Sequence, residues 1–215
     1  MGPDVGNHSS FSQIGQDRWV VERTGGKKGG FFVEAGATDG ITRSNTYLLE
    51  TEYGWSGICC EPNPRFFDKL KGNRNCMLED LILYDIDGLE LDFYLAGELG
   101  GTEDDFMSEY ARYSERISSE SIKKTTISLN SLLLNHSAPS QIDYISLDTE
   151  GSEYRILSTF DFSRWDVSIF SIEHNRYHRE DGEENLEKII QLMGQNGYDH
   201  EFNKWDMFFF RESEK

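Results

Sequence analysis

The sequence predicts an α/β fold: a doubly wound, mostly parallel sheet that closes on an antiparallel C-terminal hairpin. Three observations carry this. Short β-type runs alternate with helical stretches along the chain, the pattern of a parallel sheet with helices on both faces. The apolar runs ISL (145–147) and SIFSI (168–172) suit strands covered on both sides. The last two strand-like runs are joined by Asn203 and Lys204 alone. A parallel crossover needs a dozen or so residues, so this pair is an antiparallel hairpin.

The elements follow in order. FFVEAG (31–36) is a strand running into a glycine turn and a helical TRSNTYLLETEYG (42–54). GICCE (57–61) is the next strand, with its adjacent cysteines on opposite faces, followed by a helical PNPRFFDKLKG (62–72). NCMLED (75–80), LELDFYLA (89–96) and TTISLN (125–130) are further strand candidates. IDYISLD (142–148) precedes a helical GSEYRILSTF (151–160), and VSIFSIEHN (167–175) precedes EENLEKIIQLMGQNG (183–197). YDHEF (198–202) and WDMFFFR (205–211) form the hairpin. FSQIGQD (11–17) is expected to form a helix over the cleft, with Gln13 or Gln16 reaching the site. Segment 100–124 is polar and has no apolar face. It reads as a solvated insertion or as a lid bearing Tyr110, Arg112, Tyr113 and Arg116.

The 215 residues suit one domain, 1–215, which buries roughly 70% of its unfolded surface without staples. Cys59, Cys60 and Cys76 make no disulfide framework and lack metal-ligand spacing, so reduced thiols and a cytoplasmic setting are expected. Net charge is −18, from 39 acids and 21 bases, a surface that repels nucleic acid and anionic membrane. No apolar run approaches the ~20 residues of a membrane span. The start, MGPDVGNHSS, has no basic segment followed by an apolar one, so no signal peptide is expected.

Ligands of open α/β sheets bind outside the carboxyl ends of the strands. Those ends carry Glu34, Glu61, Asp80, Asp148 and Glu173, all acidic. The turn after the first strand has Gly36 and Gly40 four apart, with Glu34 two residues ahead; the third glycine of a dinucleotide fingerprint is missing. Glu34 would repel a pyrophosphate and attract a ligand with an ammonium and a sulfonium, which S-adenosylmethionine carries. Glu61 is placed to accept the ribose hydroxyls, and Asp80 the adenine amino group.

At these residues the chain resembles the FkbM-type S-adenosylmethionine-dependent methyltransferases. The resemblance lies in FSQIGQD (11–17), GGFFVEAGATDGITRSNTYLLE (29–50), GWSGICCEPNP (54–64), IDYISLDTEGSEYRIL (142–157) and SIEHN (171–175). It implies a Rossmann-like, seven-stranded sheet with a reversed final strand, and methyl transfer, usually to a hydroxyl oxygen of a sugar or secondary metabolite. LEDLIL (78–83) departs from it: Asp80 stands where asparagine is commoner, and bulky Leu81 and Ile82 replace small residues. The cofactor set is then Glu34, Ala35, Gly36, Thr38, Gly40, Asn45, Glu61, Pro62, Asp80 and Asp148. The catalytic candidates are His174, Asp148, Glu150 and Glu173, with His174 the natural general base because imidazole titrates near neutrality. Asp148, Glu150 and Glu173 or Asn175 are alternatively ligands for a divalent cation such as magnesium. Trp205 is expected to pack at the sheet edge. The acceptor is a small molecule or glycan, with no nucleic acid and no membrane span. The rival readings are a non-catalytic interaction module of the same fold and a nucleotide-dependent oxidoreductase, the latter disfavoured by Glu34 and the missing glycine.

Overall fold

The computed structural model describes residues 9–97, 100–102, 120–174 and 182–211. In chain order the elements are α1 (Gln16–Arg23), β1 (Phe31–Ala35), α2 (Tyr47–Tyr53), β2 (Ser56–Cys60), α3 (Pro64–Asn73), β3 (Met77–Glu79), β4 (Ile82–Tyr84), β5 (Glu90–Tyr94), β6 (Gly101–Thr102), β7 (Ser121–Ser128), α4 (Leu129–Asn135), β8 (Gln141–Leu147), α5 (Glu153–Ser158), β9 (Asp166–Glu173), α6 (Gly182–Gln195), β10 (Asp199–Asn203) and β11 (Asp206–Phe210).

Seven strands form the main sheet in the order β10-β11-β9-β8-β1-β2-β3. The β9-β8-β1-β2-β3 part is parallel throughout, and β11 runs antiparallel to both β9 and β10. The predicted architecture and its reversed final strand are therefore present. Its two faces carry separate apolar cores. Val33, Ala35, Cys60 and Ile145 point to one, and Phe32, Cys59, Leu48 and Tyr144 to the other. Cys59 and Cys60 thus do face opposite sides, as the period of two in a strand requires.

The chain departs from simple alternation after β3. The runs at 89–96 and 125–130 do not enter the main sheet. They build a second sheet, β4-β7-β5-β6, with β7 antiparallel to β5 and parallel to β4. The first half of β7 alternates exposed and half-buried residues, and its end is fully buried; that is a strand with one wet face. The bulky LEDLIL departure has its reason here. Ile82 packs with Tyr84, Phe93 and Leu95 in the core of this second sheet. Nor does TTISLN continue as strand to 130. Ser128 Oγ accepts the Ser131 N–H and opens α4.

Tyr110, Arg112, Tyr113 and Arg116, expected on a lid, and Asn175, an alternative metal ligand, lie outside the described residues. Among those described, no helix is long and apolar enough to cross a membrane.

Candidate active site

The carboxyl ends of β1, β2, β8 and β9 surround a cavity of about 300 Å³. Gly36, Thr38, Asn45, Glu61, Asp148, Glu150 and Glu173 line its floor and rim, and Ile82, Leu83, Phe93 and Thr102 of the second sheet form a facing wall. Gln13 and Gln16 reach it from the N-terminal segment, although the helix expected over FSQIGQD (11–17) begins only at Gln16. That segment is held in place by Asp17, whose buried carboxylate accepts from Ser10 Oγ, Phe11 N and Ser12 Oγ.

The turn after β1 corrects two expectations. Glu34 does not line the cavity; it lies beneath the turn, 2% exposed. Its carboxylate accepts Ser44 Oγ (2.9 Å), Asn45 N (2.6 Å) and Thr46 Oγ1 (2.5 Å), so the SNT motif shapes the loop around it. Arg74 Nη1 lies 3.3 Å away and supplies the opposite charge. Glu34 anchors the loop, and its charge is already matched within the fold. Gly36 (φ 82°) is demanded by the neighbouring strand: a Cβ there would come 2.1 Å from the Asp148 carbonyl oxygen. Gly40 also lies off the cavity, packed against Leu70 and Arg74. Ala35 and Pro62 line it.

Glu61, at the end of β2, does face the cavity. Oε2 accepts the Thr38 N–H and Oε1 the Asn63 N–H, both at 2.8 Å. Each carboxylate oxygen can accept a second hydrogen bond. Thr38 is held at φ 46°, a rare backbone for a β-branched residue, in the turn that makes this contact. Burial raises the Glu61 pKa to about 7 against those two N–H donors. Asp80 is not in the cavity lining. Lys124 Nζ pairs with it at 2.7 Å, which ties the end of β3 to β7.

At the ends of β8 and β9, Asp148, Glu150 and Glu173 bring carboxylate oxygens within 4.8 Å of one another. The DTEGSE turn explains the placement. Glu153 Oε1 accepts Thr149 N, Thr149 Oγ1 and Gly151 N, folding the loop back. Glu150 (φ 60°) and Gly151 (φ 132°) take the left-handed conformations this needs. Asp148 and Glu173 are hydrogen-bonded to each other, and burial together with neighbouring carboxylate charge pushes both far above the usual carboxylate range. The pair therefore holds a proton more tightly than an ordinary carboxyl. His174 is absent from the lining. It is 4% exposed, its backbone N–H donates to the Trp205 carbonyl, and its ring packs on Phe202. The expected general base sits behind the acid cluster because a strand turns each successive side chain to the opposite face.

Sequence reading missed three contributors. Asp206 accepts from Gln16 Nε2 at 2.8 Å and fixes that glutamine at the rim. Trp205, expected at the edge, lines the cavity, with Lys204 Nζ 3.7 Å from its ring centroid. Arg43 lines it too, in a loop bridged to Ser12. Of these only the position of Trp205, at the hairpin turn, carried a signal in the sequence.

Stability follows from the buried acids. Burial raises Asp206 to about 6 and Glu61 to about 7, above the ordinary carboxyl values of 3.8 and 4.5. The folded state thus binds more protons than the unfolded one between pH 4 and 7. The associated stability is full below pH 4 and is lost as pH rises through 6 and 7, by about 3 kcal/mol for each group. Thermal unfolding of the free protein should show a clearly lower Tm at pH 8 than at pH 5. An equal or higher Tm at pH 8 contradicts the assignment.

A methyltransferase FkbM domain matches residues 34–200, which contain the β1 turn, Glu61 and the acid cluster. The chain belongs to the FkbM methyltransferase family. The likeness to solved structures is one of fold. The precorrin-6y C5,15-methyltransferase of Geobacter metallireducens GS-15 is 10% identical with a TM-score of 0.45, over 91% of this chain and 87% of that one. A methyltransferase from Pyrococcus furiosus is 13% identical with a TM-score of 0.42, over 98% and 90%. A SAM-dependent methyltransferase from Aquifex aeolicus is 10% identical with a TM-score of 0.40, over 90% and 87%. No curated protein matches the chain.

The FkbM family implies S-adenosylmethionine, and the donor set of this chain fits it. Glu61 offers unused acceptor capacity to a pair of hydroxyls. Asn45 is 5% exposed and lines the cavity; its Nδ2 donates to Ser146 Oγ while its buried Oδ1 has no partner among the described residues. An orphaned buried acceptor calls for a hydrogen-bond donor, a role the ligand's amino group can fill.

Proposed function

We propose that this FkbM enzyme methylates a hydroxyl oxygen of a small hydroxylated molecule or glycan. The observation that carries the reading is the cluster of Asp148, Glu150 and Glu173 on the cavity rim. A carboxyl pair whose proton affinity is raised by burial and by neighbouring carboxylate charge is a stronger base toward an acceptor hydroxyl than an ordinary carboxylate. S-adenosylmethionine supplies the electrophilic methyl group when bound. The chain's own work is positioning and proton removal. Glu61 holds the ribose hydroxyls, and Asn45 Oδ1 and Asp148 hold the amino group. Glu173 and Glu150, with Asp148, receive the acceptor's proton. In this reading the base role passes from His174 to the acids, because only the acids line the cavity. The facing wall and Trp205 enclose the acceptor. The acid lining and the net charge of −18 disfavour nucleic acid as substrate.

Labelled methyl donor offered with panels of alcohols and sugars, amines and carboxylates tests this. The reading requires a methyl ether product; methylation only of nitrogen, carbon or carboxylate overturns it. Absence of both turnover and S-adenosylhomocysteine binding would favour the interaction module. The same three carboxylates have the spacing for a divalent cation, a second reading. A chelator that abolishes activity, with magnesium restoring it, decides for the metal.

The cofactor assignment has its own test. Glu61→Ala should weaken S-adenosylhomocysteine binding in calorimetry by roughly 2–4 kcal/mol, the loss of two hydroxyl contacts to a carboxylate, with the fold retained. Unchanged affinity removes Glu61 from the ribose.

A further inference from the structure

Three thiols lie close in sequence, and the fold separates them into a pair and a bystander. Cys59 is on β2, fully buried, with its side chain in the core beside Phe32 and Leu70. Cys76 sits just before β3 and is partly exposed. Their sulfurs are 3.5 Å apart. Cys60 is buried in the core on the other face of the sheet and cannot join them. The pairing register explains the meeting: Ile58 lies opposite Met77 and Cys59 opposite Leu78, so Cys59 and Cys76 are diagonal neighbours on one face.

We propose that Cys59 and Cys76 form a reversible disulfide that staples β3 to β2, a modification site of this chain. β3 is a three-residue edge strand whose only sheet partner among the described residues is β2, so a bond here fastens a short margin of the sheet. The neighbourhood gives the bond a functional reach. Cys59 lies two residues before Glu61, and Cys76 two residues after Arg74, which clamps Glu34 and Glu50.

The step is thiol–disulfide exchange with a low-molecular-weight disulfide. Cys76, the accessible partner, attacks as thiolate, forming a mixed disulfide and releasing one thiol. Cys59 then loses its proton and attacks the Cys76 sulfur, releasing the second thiol. Two protein thiols are oxidised to one disulfide, and the small disulfide is reduced to two thiols. Burial raises the Cys59 pKa well above its ordinary value and so makes the second step the slow one.

The full chain is equilibrated in glutathione buffers of graded redox ratio, quenched in acid, unfolded, alkylated and mapped by mass spectrometry. The expected result is one intramolecular disulfide joining Cys59 and Cys76, with Cys60 alkylated throughout. Cys76→Ser abolishes it and Cys60→Ser leaves it intact. The oxidised form unfolds roughly 6–12 °C higher than the reduced form, from constraint of the unfolded loop. Three alkylated thiols at every ratio, a bridge that uses Cys60, or only mixed disulfides with glutathione overturns the proposal. Cys59→Ala, which keeps Cys76 exposed, separates a true pair from simple glutathionylation: it must eliminate the intramolecular bridge and leave Cys76 carrying the glutathione.

Discussion

Glu173→Gln should lower the methyl-transfer rate by about 10²–10⁴-fold while S-adenosylhomocysteine still binds with nearly unchanged affinity. Glu173 lines the cavity hydrogen-bonded to Asp148, and burial plus the charge of Asp148 keeps its proton affinity high. Glutamine fills the same space without a titrating group. The remaining carboxylate, Asp148, loses the titrating partner to which it is hydrogen-bonded. Asp148→Asn should damage binding and turnover together, whereas His174→Ala should leave the rate nearly unchanged, since His174 does not reach the cavity. A Glu173→Gln enzyme with wild-type rate, insensitive to chelators, would show that the acid cluster is not the site of proton removal.

Arg74→Met should cost about 3–5 kcal/mol of stability, read by urea denaturation at neutral pH. Its side chain is 0% exposed, with Nε 2.6 Å from Glu50 and Nη1 3.3 Å from Glu34. Nη1 also donates to the Gly40 carbonyl, and Nη2 to Thr46 Oγ1. Methionine fills much of the volume but leaves the buried Glu34 and the partly buried Glu50 without their cation. The loss should be smaller in Arg74→Met/Glu34→Gln, because the second change removes an uncompensated charge. A cost under about 1 kcal/mol for the single variant would mean that Ser44, Asn45 and Thr46 alone satisfy Glu34.

Strand–helix alternation, the two-residue Asn203-Lys204 link and the acids at strand ends were legible because period, turn length and strand termination are local properties. From them came the mostly parallel sheet, its final hairpin and the rim on which Glu61, Asp148 and Glu173 meet. The use of each side chain was not local. Glu34 read as a ligand-facing acid, yet Arg74, forty residues on, and the SNT loop claim it. Gly36 read as room for a ligand, yet the Asp148 carbonyl occupies its Cβ position, 112 residues away. Gln16 is set by Asp206, 190 residues away. The second sheet was hidden because the half-wet strand β7 pairs with two strands that precede it across the chain. The sequence by itself determined which elements form and that acids crowd the strand ends. Only the tertiary structure decided which acids face the cavity and which are neutralised beneath it. Strand order sets which distant group lies against each side chain, and in a buried site that neighbour determines whether a carboxylate is paired, protonated or open to a ligand.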